Sequence, residues 1–141
     1  VRVMMFITII FLFLINPDID QKSTFTLEVD NIRNNKGKLK VALYRNAENY
    51  QEKTPFYTKS VSKEKLQNGS LWVDVKVEPG EYGVAILDDE NDNNKMDYSF
   101  FMPSEGYGFS NYEGNTKPSF EEIKISFNKN MRSLIISLNY L

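Results

Sequence analysis

The sequence predicts an all-β fold: an antiparallel β-sandwich of immunoglobulin-like or transthyretin-like type, with about seven strands and one long irregular loop. Three observations carry that expectation. Apolar residues recur at every second position in several runs, the spacing that places alternate side chains on one face of a pleated sheet. Turn-forming segments between the runs are too short for crossover helices. Finally, 141 residues suffice for one hydrophobic core and hardly for two.

Residues 1–21 read as a secretory signal peptide, which leaves residues 22–141 as one β-sandwich domain. After Arg2, residues 4–15 hold Thr8 as their only polar residue, and Asn16-Pro17-Asp18 ends the run. About twelve apolar residues are too few for a bilayer core of about 30 Å and fit the apolar region of an export signal. The mature protein is therefore expected to be exported, periplasmic or extracellular, and without a transmembrane helix. A lipoprotein anchor is not expected, because no Cys is present to carry the lipid.

Within the domain, Phe25, Leu27 and Val29 alternate with polar neighbours, and so do Leu39, Val41 and Leu43. Asn34-Asn35-Lys36-Gly37 is the turn between them. Alternation lapses between Asn46 and Gln67, where Lys and Glu are frequent and one short amphipathic helix is expected. Leu71, Val73, Val75 and Val77 alternate with Trp72, Asp74 and Lys76, the clearest half-buried strand. Past the turn at Glu78-Pro79-Gly80, residues 82–87 are apolar almost throughout, as in a central strand. Ile123, Ile125 and Phe127 are expected to face one way, as are Leu134, Ile136, Leu138 and Tyr140. Between these regions residues 88–119 read as the long irregular stretch, a place where function concentrates.

Composition narrows the chemistry. A net charge of -2 offers no basic field for a phosphate backbone, so nucleic acid is not an expected partner. With neither Cys nor His, thiolate and imidazole catalysis and the usual zinc, copper and haem ligands are missing together. Oxygen-ligated chemistry remains, and one segment is suited to it: Asp88-Asp89-Glu90-Asn91-Asp92-Asn93-Asn94-Lys95-Met96-Asp97. Counting from Asp89, a tight calcium loop takes oxygens from Asp89, Asn91, Asn93, the Lys95 carbonyl and Asp97. Asn94 fills the sharply turning sixth position, where Gly is usual and Asn is the best substitute. Position twelve is Phe100 instead of a bidentate Glu, so the loop is not an EF-hand. Remaining ligands would come from Asp88, Asp92, Glu105, another loop or water. Two carboxylates among the direct ligands imply a dissociation constant of about 10⁻⁴ to 10⁻³ M, matched to extracellular calcium. The plainer alternative is a solvated turn whose Asx side chains bond their own backbone.

Downstream, Tyr98, Phe100, Phe101, Tyr107, Phe109 and Tyr112 are interleaved with Pro103, Gly106, Gly108 and Gly114. Tyr107, Phe109, Tyr112 and Trp72 are candidate contacts for a glycan or peptide; alternatively the loop aromatics simply cover an open end of the sandwich. Trp72 is either an exposed binding aromatic or covered by this loop.

Several segments together resemble the bacterial domain of unknown function family 2141. They are Gly37-Lys38-Leu39-Lys40-Val41-Ala42-Leu43-Tyr44, Val77-Glu78-Pro79-Gly80-Glu81-Tyr82, Ala85-Ile86-Leu87-Asp88-Asp89-Glu90-Asn91 with Asp97, Pro103-Ser104-Glu105-Gly106-Tyr107-Gly108-Phe109-Ser110-Asn111 and Lys117-Pro118-Ser119-Phe120-Glu121. The resemblance spans about residues 24 to 140 and implies an exported bacterial β-sandwich module of unestablished role. Asp88 stands where the family is expected to carry His, and Asn94 where it usually has Gly. The functional expectation is a non-catalytic module that binds or scaffolds at the cell envelope, with the carbohydrate- or peptide-binding use of the aromatic loop as an alternative. A carboxylate-dependent hydrolase is the further alternative, needing two carboxyls about 5–10 Å apart from Asp88, Asp89, Asp92, Asp97 and Glu105.

Overall fold

The structure is a computed structural model describing residues 22–141; the signal peptide expected over residues 1–21 lies outside the described residues. The elements in chain order are β1 (Ser23–Asp30), β2 (Lys38–Tyr44), α1 (Ala47–Glu52), β3 (Tyr57–Ser62), β4 (Leu71–Val77), β5 (Gly80–Asp89), β6 (Tyr98–Ser99), β7 (Met102–Pro103), β8 (Gly106–Phe109), α2 (Phe120–Ile123), β9 (Lys124–Phe127) and β10 (Ser133–Ser137). One sheet has the order β10-β1-β4; the other runs β3-β2-β5-β8, with β9 also on β5; β6 and β7 form a separate ribbon. No described helix is long and apolar enough to cross a membrane.

Period-two patterning explains how the two sheets close. Phe25, Leu27 and Val29 of β1 and Val73 and Val75 of β4 meet Leu39, Val41, Leu43, Val84 and Ile86 of the facing sheet in one buried cluster. Phe25 and Phe127 join the layers, with ring centroids 4.6 Å apart. Each fully buried Val, Leu or Phe here contributes about 1.5–3 kcal/mol of hydrophobic stabilisation. The all-β sandwich expected from the sequence is therefore the observed architecture.

Its details differ from expectation in four places. Ten strands form instead of about seven among the described residues, because the irregular stretch over residues 88–119 contains β6, β7 and β8. Two of these have only two residues each, and β8 is Gly-Tyr-Gly-Phe, so no alternating apolar run marks them. In residues 46–67 a strand accompanies the expected helix. Asn46 Oδ1 accepts from the Asn49 amide at 2.8 Å to start α1, left-handed Lys53 ends it, and β3 then pairs with β2. β3 is half-exposed along its length, which hid its alternation. Third, β10 lies parallel to β1 (Leu27 opposite Leu134, Val29 opposite Ile136), because the chain crosses to the other sheet after β9. Fourth, Ile123 does not share a face with Ile125 and Phe127. The Ser119/Glu122 capping box builds one helical turn there, and Ile123 enters a second buried cluster with Tyr44, Tyr50 and Phe120.

That second cluster covers the outer face of the five-stranded sheet. Small residues at outward positions, Ala42, Gly83 and Ala85, make room for it. A Cβ at Gly83 would stand 2.7 Å from Ile123 Cδ1. At the end of β5, Gly37 (φ +65°) lets the turn before β2 lie against the backbone of Asp89; a Cβ there would meet the Asp89 carbonyl oxygen at 1.9 Å. This packing holds the start of the acidic loop to the sheet.

Candidate functional site

The acidic loop grows out of the last residue of β5. Asp89 is fully buried, and its carboxylate accepts from two loop amides, Asn93 N–H at 3.0 Å and Asn94 N–H at 2.8 Å. Asp92 and Asn94 take left-handed backbone, φ 56° and 64°, which wraps the chain around that carboxylate. The sixth position thus turns as the sequence requires. The Asn91 amide donates to Asp97 Oδ2 at 2.6 Å, and the Asn93 amide donates to both Asp97 oxygens at 3.0 and 2.9 Å. The side chains at loop positions three, five and nine are therefore joined by amide-to-carboxylate hydrogen bonds.

Their polarity is the other half of the description. Asn91 Oδ1 accepts from Asn93 N–H at 3.2 Å, and Asn93 Oδ1 from Lys95 N–H at 3.1 Å, so both carbonyl oxygens serve Asx turns. A cation among them requires both amides to turn over, exchanging donors for acceptors at little steric change. No group of three or more His, Cys, Asp or Glu able to hold a metal exists among the described residues. Any cage would rest on two carboxylates supplemented by amide and backbone oxygens. Of the supplementary ligands foreseen, Glu105 is already committed. It is buried, accepts from Glu90 N–H at 2.9 Å and from Asp97 N–H at 3.2 Å, and so ties the two ends of the loop together.

Two lysines of β2 complete the loop's surroundings. Lys40 Nζ reaches Asn94 Oδ1 at 2.7 Å, Asp92 Oδ1 at 3.1 Å and Asp89 Oδ2 at 3.7 Å. Lys38 Nζ pairs with Asp92 Oδ2 at 2.6 Å, and hydrogen bonds from Lys38 and then Lys40 hold the Asp92 carboxyl below its usual range. Asp92 is thus neutralised from within the protein, Asp89 faces the same Lys40, and Asp97 is the loop carboxylate with no ion pair among the described residues.

Beneath the loop lies a buried polar triad absent from the sequence reading. Asp88, fully enclosed, is paired through Oδ1 with the equally buried Lys63 Nζ, and its Oδ2 accepts from the Tyr140 hydroxyl at 2.7 Å. Burial, then the hydrogen bond to Asp88, pushes the Tyr140 phenol up, so it remains a donor. Arg33 stacks 4.5 Å above the Tyr140 ring, pairs with Glu90 at 2.6 Å and donates to the Ser104 carbonyl at 3.0 Å. Its hydrogen bond holds the Glu90 carboxyl below the usual carboxylate range. Asp88 and Glu105, foreseen as spare ligands or as acid–base groups, are instead fastened into the scaffold. Nothing in the Lys- and Glu-rich segment around Lys63 says which of its charged residues turns inward.

Beside the loop, a groove of about 620 Å³ opens on the outer face of the five-stranded sheet. It is lined by Tyr44, Tyr50, Tyr107 and Phe109, by Asn94, Lys95 and Met96 of the acidic loop, and by Asn115, Thr116 and Lys117. The rings brace one another: Phe109 lies edge-on to Tyr50 at 6.4 Å and tilted to Tyr107 at 6.1 Å. Tyr107 is oriented by its hydroxyl, which donates to the Asn115 carbonyl at 2.8 Å. Of the four candidate ligand contacts, Tyr107 and Phe109 line this groove. Tyr112 is packed behind them, edge-on to Phe109, with its hydroxyl 2.8 Å from Thr116 Oγ1. Trp72 sits apart, half-exposed on β4 in the other sheet. Tyr44 and Tyr50 were missed because they flank the turn into α1, outside the aromatic-rich segment. At the rim, Tyr98 and Pro103 belong to the β6–β7 hairpin, whose tip residues Phe100 and Phe101 are almost wholly exposed and left-handed, φ 49° and 66°.

These features define a two-sheet β-sandwich domain whose β5–β8 connection carries a braced acidic loop at the edge of an aromatic groove. The chain belongs to the family described as uncharacterized protein conserved in bacteria (DUF2141), whose sequence profile matches residues 27–134. Comparison with curated proteins and with solved structures gave no match.

Proposed function

We propose that the protein is an exported, non-catalytic binding module of the bacterial cell envelope, whose acidic loop, rigidified by calcium, fixes one wall of a ligand groove. The observation that carries this reading is the shared wall: Asn94, Lys95 and Met96 are at once part of the acidic loop and part of the groove lining. Whatever stiffens the loop stiffens the groove. Calcium would be held by Asp89, Asn91, Asn93, the Lys95 carbonyl and Asp97. It would supply the positive charge that lets the two Asn amides turn their oxygens inward. Export rests on the apolar run over residues 4–15. The non-catalytic reading rests on two of the candidate acid–base carboxylates: Asp88 is paired with Lys63 and Tyr140, and Glu105 spends both oxygens on loop amides.

Thermal unfolding with calcium, magnesium or chelator tests the metal. A ligand of the folded state alone stabilises by RT ln(1 + [L]/Kd), so with a dissociation constant of about 10⁻⁴ to 10⁻³ M, calcium at about 10 mM is expected to add about 1.4–2.7 kcal/mol. Asp97→Ala should abolish the shift while sparing Asp89, whose carboxylate also caps the loop. No calcium shift in the wild type, or an equal shift in Asp97→Ala, would remove calcium from the proposal.

A further inference from the structure

We infer that the ligand of the aromatic groove is an acidic saccharide, a chain of sugar rings carrying carboxylates, with Tyr50 and Lys117 as its principal anion contacts. This rests on the proposed function above, that the groove receives a ligand. Three observations carry it.

The first is the charge of the lining. In a chain of net charge -2 the groove is lined, among the described residues, by Lys40, Lys53, Lys95 and Lys117 and by no Asp or Glu side chain. Lys40 is spent on Asp92 and Asn94. Lys53, Lys95 and Lys117 are exposed, and among the described residues none of the three forms an ion pair. They come from the end of α1, the acidic loop and the segment before α2, so positive charge surrounds the groove instead of marking one end.

The second observation is an orphaned donor. Tyr50 is buried at 5 % exposure and lines the groove, yet its hydroxyl is enclosed and has no hydrogen-bond partner among the described residues. A buried hydroxyl left unpaired is costly, and native structures rarely tolerate one without a reason. Burial pushes this phenol up to about 12, so it stays protonated and can only gain by meeting an acceptor. Lys117 Nζ lies 5.1 Å over the same ring. The ammonium over this ring is the charge that a carboxylate entering the groove would meet, with the unpaired Tyr50 hydroxyl as a further donor once the side chains enclosing it give way.

The third is shape. The groove lies on a sheet face, where only side chains are offered. β8, the strand at that side, has its free edge covered by Asn139, which exchanges hydrogen bonds with Tyr107 at 3.1 and 2.8 Å. An extended peptide therefore finds the β8 edge already occupied, which among the described residues leaves it only the two-residue strands of the β6–β7 ribbon to pair with, a short source of affinity. A lipid tail would need an enclosed apolar tunnel with charge at one end. Sugar rings against half-buried Phe109, with carboxylates reaching the surrounding lysines, match a groove on a sheet face with a cationic rim.

Calorimetric titration of the protein with a tetrameric oligouronate, its carboxyl-reduced neutral counterpart and an oligoglutamate of equal charge tests this. The oligouronate is expected to bind at least tenfold more tightly than either comparator, and more weakly as salt rises. Lys117→Gln should weaken it at least tenfold, and Tyr50→Phe severalfold without lowering the unfolding midpoint. Equal affinity for the neutral oligosaccharide would overturn the acidic assignment and leave the groove reading intact. Tighter binding of oligoglutamate would overturn the saccharide. Oligouronate affinity unchanged in both variants would place binding elsewhere and overturn the groove reading too. No binding of any of the three would overturn this inference alone, since calcium stabilisation is measured independently.

Discussion

The two outer faces of the sandwich are built on opposite plans. On the three-stranded sheet the outward residues of β4 are Trp72, Asp74 and Lys76, all exposed, and Thr26 of β1 donates to Asp74 at 2.7 Å in the open. On the five-stranded sheet the outward positions are Ala42, Gly83, Ala85, Tyr107 and Phe109, and a second aromatic layer from α1, α2 and residues 109–112 rests on them. Strict alternation marks a face left to solvent; small and aromatic residues at outward positions mark a face that something covers. The groove exists because that second layer covers the sheet only in part.

The largest effect expected tests the end of β5, where both plans give way to the buried triad. Removing one partner of an enclosed ion pair strands a charge, so Lys63→Ala or Asp88→Ala should lose about 3–5 kcal/mol in denaturant unfolding. Lys63→Met with Asp88→Leu should recover most of that loss, because the cost lies in the unpaired charge. A single truncation costing under about 1 kcal/mol would show the pair to be hydrated.

Next in size is the second layer itself. Phe120 is buried over Gly83, whose Cβ, if added, would lie 3.1 Å from its ring. Phe120→Ala should cost about 3 kcal/mol through lost burial and a cavity. If the loss were as small as for a surface residue, the covered face would be no more structural than the bare one.

Much of this was legible in the sequence, for definite reasons. Alternation at Leu71, Val73, Val75 and Val77 specified a half-buried strand, and the apolar run over residues 82–87 specified one covered on both faces. The Asp89, Asn91, Asn93 and Asp97 spacing pointed to a cation loop or a turn of self-bonded Asx residues, and Asx bonds to the loop's own backbone are present. What escaped notice depended on long-range meetings. Lys63 finds Asp88 at a separation of 25 residues, Tyr140 finds it at 52, and Lys40 meets Asn94 at 54. No local pattern in a single chain encodes such contacts. The groove was hidden in the same way, since its Tyr50 and Lys117 lie on either side of the aromatic segment that drew attention.

Alkaline titration sharpens the comparison further, because the tyrosines held above their ordinary range by burial include Tyr44, Tyr50 and Tyr107 of the covered face. A phenol raised in the folded state contributes stability that is whole below its unfolded value of about 10 and is lost as pH climbs through the folded value. For Tyr50 that window runs from about 10 to about 12. Tyr50→Phe should therefore gain about 1 kcal/mol at neutral pH by removing an unpaired hydroxyl, and should lose less on going to high pH. A loss at neutral pH would mean that the hydroxyl has a partner in solution.

The smallest effect belongs to the bare face. Trp72 lies opposite Glu28 in the β1–β4 register and is 51 % exposed, with its ring on the polar side of the strand. Threonine is at home on such a surface, so Trp72→Thr should change stability by no more than about 0.5–1 kcal/mol. It should also leave oligouronate affinity untouched, since the opposite sheet holds Tyr50 and the groove. A measurable loss of affinity in Trp72→Thr would show that the ligand wraps from one sheet to the other, and the contrast between a covered, binding face and a bare, solvated one would no longer describe this molecule.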